Sequence, residues 1–189
     1  MSTTNKTFAG IPKEFADPEI AKITLTSIPY DGTSTWGKGA DKGFDAFLAA
    51  AENMEIYDIE TGSEVFRKGI VIESPVLESS SPEAMYKATY DHAKALLKKG
   101  RFNTFFGGEH SVSIGLIKAY YEHFKNLTIL QLDAHTDLRP EYGGTPFNHA
   151  CAVFDAAQNT NLIQVGIRSM DFSETVSYTH LTLPTNREV

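Results

Sequence analysis

Cysteine, positive charge and long apolar runs are all scarce in this chain of 189 residues. Cys151 is the only cysteine, so no internal disulfide can form, and a reducing cytoplasm fits that usage. No uninterrupted apolar run is longer than residues 46–51, far short of the ~20 residues a bilayer-spanning helix needs. The N-terminus lacks the charged-then-apolar pattern of a secretory signal. Seventeen Lys and Arg stand against 24 Asp and Glu, for a formal net charge of −7. That balance argues against a phosphate-tracking nucleic-acid binder, which carries a basic stripe. What remains is ordinary globular composition, 41% hydrophobic and 22% charged. A chain of this length can bury roughly 70% of its unfolded surface without staples.

The pattern alternates strands with helices. The first twenty residues are polar and punctuated by proline, and are expected to lie over the surface. Residues 22–28 alternate as a strand, and 29–33 read as a turn. The Gly-rich stretch 38–43 lacks P-loop spacing. A helix is expected over 44–54, with short strands near 55–59 and within 69–78. The clearest helix covers 82–99, with Ser81 as N-cap, Pro82 at the first helical position and Gly100 past its end. Met85, Ala88, His92, Ala95 and Lys99 fall on one stripe of it, with His92 read as a satisfied packing histidine. Residues 102–106 form a strand and 111–124 a second helix, whose stripe is Ile114, Ile117, Tyr121 and Phe124. Strands at 127–132 and 162–167 are apolar enough for both faces to be covered. Such alternation implies parallel crossovers in a three-layer αβα fold with a mainly parallel sheet.

Active sites in such sheets collect beyond the carboxyl ends of the strands. Two expected strand ends carry unusual residues: Gly107-Gly108-Glu109-His110-Ser111 and Asp133-Ala134-His135-Thr136-Asp137. Asp133, His135 and Asp137 place three metal-competent groups in five residues. Fully extended, the outer two would be roughly 13 Å apart, too far for one ion with bonds of about 2 Å. Either the chain turns after the strand, or the ligands serve two ions about 3.5–4 Å apart. Mixed imidazole and carboxylate donors suit manganese, zinc or ferrous iron, and the oxygen-rich set tilts toward manganese. Gly107 and Gly108 allow close backbone approach and aim His110 at the same crevice. The competing reading, a helix cap, a surface charge and two structural histidines, suits one Asp-x-His alone. It does not suit this concentration of donors at neighbouring strand ends.

These two motifs resemble the signatures of the ureohydrolase family, which includes arginase and agmatinase. Ile28-Pro29-Tyr30-Asp31-Gly32-Thr33, Leu138-Arg139 and Gly166-Ile167-Arg168-Ser169 extend the match, which covers roughly residues 22–174. Asp137-Leu138-Arg139 with Tyr142, Gly143 and His149 is more similar to agmatinases than to arginases. The resemblance implies an arginase/deacetylase-like fold and a site with two Mn2+ ions. By motif, His110 and Asp137 ligate one ion, His135 the other, and Asp133 bridges. His149 resembles the loop histidine of arginases and agmatinases and is the candidate proton shuttle. The implied reaction converts a small guanidino substrate, agmatine, to putrescine and urea. The resemblance further implies a homo-oligomer in the cytoplasm, with neither nucleic acid nor membrane as partner. Glu109 is expected to cap rather than ligate.

The resemblance also calls for two further aspartates from a downstream Ser-x-Asp-x-Asp. After Asp137 only Asp155 and Asp171 occur, and no Asp-x-Asp exists in the chain. The expectation is therefore that residues 1–176 form the N-terminal part of one ureohydrolase domain, incomplete in this chain. Residues 177–189 resemble nothing in the family and are read as a foreign tail. An unfinished sheet is expected to leave an unpaired edge and exposed apolar helix faces. Alternatives are a sibling ureohydrolase (arginase, formimidoylglutamase or guanidinobutyrase) or an inert metal-binding fragment. Two-metal phosphoesterases also open with Asp-x-His, but here Gly-Gly-Glu-His precedes that element. Zinc deacetylases lack the combination of the two motifs.

Overall fold

The computed structural model describes residues 7–176, so the expectation for residues 177–189 lies outside the described residues. Three strands, β1 (Ile23–Ile28), β2 (Ile70–Ile72) and β3 (Phe102–Gly107), form a parallel sheet in the order β2-β1-β3. The pleat sends alternate β1 side chains to opposite faces. Leu25 joins Phe44, Phe66 and Ile70 on one side, where α1 (Gly43–Ala51) packs. Ile28 meets Met85, Ala93, Val112 and Ala119 on the other, supplied by α2 (Pro82–Leu97) and α3 (Val112–His123). Helices on both faces of a parallel sheet make the three-layer α/β fold.

Helix α2 begins where its capping residues require: the Ser81 side chain accepts from the Ala84 N–H, with Pro82 in the first turn. Its buried stripe is displaced from the expected one and comprises Met85, Thr89, Ala93, Leu96 and Leu97. The α3 stripe likewise shifts to Val112, Ile114, Gly115, Leu116 and Ala119, leaving Phe124 exposed. Close helix contact explains both shifts. A Cβ on Gly115 would sit 2.3 Å from Thr89 Oγ1 and 2.5 Å from the Tyr86 carbonyl oxygen, so small residues line the seam. His92 is partly buried and its Nε2 has no hydrogen-bond partner among the described residues, contrary to the satisfied histidine expected.

A second parallel pair, β4 (Thr128–Leu132) and β5 (Asn161–Val165), is bridged by a short helix α4 (Phe154–Asn159). Leu138, Val153, Ala156 and Leu162 form its core. Only one face of this pair is covered. Leu130 and Leu132 are 60% and 74% exposed, and Ile163 and Val165 share the open side, so the expectation of two covered faces fails. Among the strands, Phe102 of β3 is also 73% exposed. Residues 55–59 form no strand. Asp58 instead caps a turn through the N–H groups of Glu60 and Thr61. The N-terminal segment is not merely superficial, since Ile11 is buried against Leu25 and Phe66. No helix among the described residues is long and apolar enough to cross a membrane.

Candidate metal centre

The ends of β1, β3, β4 and β5 deliver their following loops to one crevice of about 920 Å³. Two close approaches build it. A Cβ on Gly108 would lie 1.9 Å from the Tyr30 carbonyl oxygen, so only glycine lets the β3 exit press against the β1 exit. The Glu109 N–H then donates to that same oxygen at 3.0 Å. After β4 the chain turns sharply. Asp137 takes φ +50°, a left-handed conformation that aspartate tolerates better than most residues. The 166–169 segment secures the turn: the Arg168 and Ser169 N–H groups both donate to the Ala134 carbonyl, and Thr136 N–H to that of Ser169.

This turn brings together what extension would separate. His110 Nδ1 lies 2.6 Å from Asp137 Oδ2 and 3.3 Å from Asp133 Oδ2. One ligand atom from each of the three falls within 4.8 Å of the others, a set that could hold a metal ion. His135 is not part of that set, but its Nδ1 is 3.5 Å from Asp133 Oδ1. Asp133 thus turns one carboxylate oxygen toward each histidine. His149, on a loop stapled by the Arg139 N–H to Ala150 carbonyl bond, faces the same crevice, its ring edge-on to Tyr142.

Electrostatics supports cation binding. Burial alone would lower the His110 pKa, but the Asp137 hydrogen bond and the charges of Asp137, Asp133 and Glu109 raise it above its ordinary value. The two converging carboxylates favour positive charge at His110, and a divalent cation would meet both of them. Burial would raise the Asp133 pKa, yet hydrogen bonds from the His135 backbone and Gln131, with both histidine charges, hold it below the usual range. Nitrogen and carboxylate oxygen donors fit manganese, zinc or ferrous iron.

Glu109 caps rather than ligates: buried, it accepts from the Ser111 N–H and hydroxyl and from Thr33. One residue went unrecognised in the sequence. Glu174 is buried and accepts from Thr136 Oγ1, Leu138 N–H and Asp171 N–H, fixing the backbone on either side of Asp137. The available signal was Asp171-Phe172-Ser173-Glu174, whose Asp and Glu form a reciprocal capping box.

The Arginase family model matches residues 21–188. The N(1)-aminopropylagmatine ureohydrolase of Synechocystis is 31% identical over 166 residues, covering 81% of this chain and 54% of that protein. The agmatinase of Bacillus subtilis is 30% identical over 155 residues, covering 80% and 53%. The crystal structure of agmatine ureohydrolase from Thermoplasma volcanium superposes with a TM-score of 0.75 at 28% identity, covering 83% of this chain and 54% of that one. The chain spans about half the length of the curated relatives it matches. Signature residues at the strand ends, the three-layer fold and the family match agree, and the chain belongs to the arginase family.

Proposed function

We propose that this chain carries the main metal-binding loops of a manganese-dependent ureohydrolase that cleaves a guanidino C–N bond, converting agmatine to putrescine and urea. The observation that carries this reading is the convergence of His110, Asp133 and Asp137 at strand ends within the family match. His110 and Asp137 would hold one Mn2+ and His135 the other, with Asp133 between them. That assignment accords with the two Asp133 oxygens facing different histidines. When bound, the two ions supply Lewis acidity and a water acidified to hydroxide near neutral pH.

The protein's own residues do the rest. The carboxylates of the crevice, Asp133, Asp137, Asp171 and Glu174 among them, favour a cationic guanidinium. An amine leaves only after protonation, and imidazole is the side chain suited to deliver that proton near neutrality. We assign this role to His149, whose position at the rim between Tyr142 and the loop after β1 supports it. The two further aspartates implied by the family motif are absent from the sequence. This chain by itself therefore binds Mn2+ weakly and turns over slowly.

A longer substrate is the second reading, because relatives named for N(1)-aminopropylagmatine match at 31% and 32% identity. The test measures Mn2+ binding by calorimetry and urea release from agmatine, aminopropylagmatine, arginine and 4-guanidinobutyrate. Saturable Mn2+ binding that His110→Ala abolishes is expected, with urea appearing from agmatine before arginine. Binding unaltered in His110→Ala, or a preference for arginine, overturns the reading.

A further inference from the structure

Three partners meet the hydroxyl oxygen of Thr33. Its Oγ1 lies 2.8 Å from Glu109 Oε1, 3.0 Å from the backbone nitrogen of His149 and 3.3 Å from His149 Nδ1. A hydroxyl has one proton to donate and two lone pairs with which to accept. The Glu109 carboxylate accepts only, and the His149 backbone N–H donates only. The Thr33 proton therefore goes to Glu109, in a charge-assisted bond. Were it directed to Nδ1 instead, two oxygens bearing only lone pairs would face each other at 2.8 Å. Nδ1 must consequently donate.

Glu109 is in turn held against rearrangement. Its Oε2 accepts the Ser111 N–H at 2.8 Å, and its Oε1 accepts the Ser111 hydroxyl at 2.8 Å and the Thr33 N–H at 3.1 Å. On the far side of the ring, Thr35 Oγ1 lies 3.2 Å from His149 Nε2. The two threonines are not equivalent. Thr33 has its proton committed to a carboxylate, whereas among the described residues the Thr35 hydroxyl meets His149 Nε2 and no carboxylate, so its proton can turn over.

We infer that Glu109 and Thr33 are positioning residues that fix neutral His149 as the Nδ1–H tautomer, leaving Nε2 as the nitrogen that takes up and releases protons. In the neutral ring, Nε2 accepts from Thr35. In the imidazolium, Nε2–H donates to a Thr35 hydroxyl that has rotated. Nδ1 donates to Thr33 in both states, so the ring changes charge without changing place. The same carboxylate spans the exits of β1 and β3, so the His110 loop and the His149 loop share one anchor. The catalytic meaning of this arrangement rests on the proposed role of His149 as proton donor; the tautomer does not.

Long-range 1H–15N correlation of the metal-free, 15N-labelled chain, above the pH range of imidazole titration, reads the tautomer directly. The His149 signals are assigned by their loss in His149→Gln. The expected result is a protonated Nδ1 and a bare Nε2 in the wild type. The Nδ1–H signature should be lost in Thr33→Val and retained in Thr33→Ser. A wild-type ring protonated at Nε2 overturns the inference, as does a Thr33→Val chain with an intact amide spectrum and an unchanged tautomer. Should Thr33→Val fail to fold, the wild-type spectrum alone decides. Urea assays on the same samples after Mn2+ is added separate the two proposals. The tautomer without hydrolysis counts against the function, and hydrolysis with the opposite tautomer counts against the positioning.

Discussion

Replacing Gly108 by alanine tests the joint on which the metal centre is built. The added Cβ would lie 1.9 Å from the Tyr30 carbonyl oxygen, 2.7 Å from its carbonyl carbon and 3.1 Å from its nitrogen. Real Cβ contacts essentially never fall below 3.0 Å, so backbone must separate. Neither side yields freely. Tyr30 is 3% exposed within the core, and Ile28 is paired in register with Gly107 at the ends of β1 and β3. Overpacking of this kind costs about 1–3 kcal/mol, and losing the Glu109 N–H to Tyr30 bond adds about 1 kcal/mol. The sum, about 2–4 kcal/mol, lowers Tm by roughly 5–15 °C for a domain of this size. Gly43→Ala is the matched control. Gly43 has helical φ −60° and ψ −41°, with nothing within 4 Å of a new Cβ, so that substitution stabilises by about 0.4–1 kcal/mol. Thermal melts of the three proteins, with and without Mn2+, provide the readout. If Gly108→Ala melts with or above the wild type, the close approach of the two strand exits is wrong.

Glu174→Ala strips acceptors from the buried Thr136 hydroxyl and Leu138 N–H and from the Asp171 N–H. At about 1–3 kcal/mol for each of the two buried donors, the expected loss is about 2–6 kcal/mol in denaturant unfolding, with Glu174→Gln losing less. Burial lowers the His92 pKa below 6.5 despite Glu73, with Lys99 adding to the effect. The unfolded chain thus takes up this proton before the folded one, and stability falls as pH drops below 6.5 toward the lowered value. Melts above and below that pH should show a shallower acid limb for His92→Gln; an unchanged limb refutes the assignment. Burial pushes the Cys151 thiol from 9.0 up to about 11. Its thiolate is thereby about 100-fold scarcer than in the unfolded chain, so disulfide reagents should label it only on unfolding. Prompt labelling of native protein argues against the buried placement.

The start of helix α2 is legible because it is written in local chemistry: Ser81 accepts from the Ala84 N–H and Pro82 has no N–H to leave unpaired, whatever packs alongside. Its buried face is not, because Gly115 sets that face from another helix, through a contact with Thr89. The strand expected near 55–59 lost to turn chemistry, where Asp58 caps two N–H groups and Gly62 takes φ +61°. The six residues of α4 are too few to display a helical period. The apolar content of β4 and β5 suggests burial on both faces. The pleat instead buries Gln131 and Gln164, hydrogen-bonded to each other, and leaves Leu130 and Leu132 outward.

The candidate metal donors are legible from residue type and position, yet their convergence is not deducible from spacing. Extended geometry separates Asp133 from Asp137 by roughly 13 Å, whereas both reach His110 Nδ1, at 3.3 Å and 2.6 Å. The difference lies in the turn over residues 134–136 and in the φ of +50° at Asp137, which re-aims its side chain and opposes residue preference by about 1–3 kcal/mol. Such a conformation persists only where its neighbours over-determine it. Here the next N–H, that of Leu138, donates to buried Glu174, and the Asp137 carbonyl accepts from Val153. Glu174 is itself held by the Asp171 N–H and lies 3.8 Å from Arg139 Nε. The turn that carries the candidate ligands therefore takes part of its shape from Glu174, a carboxylate far along the chain. A motif search sees the ligands because their chemistry is local, and misses Glu174 because it holds a turn it does not belong to.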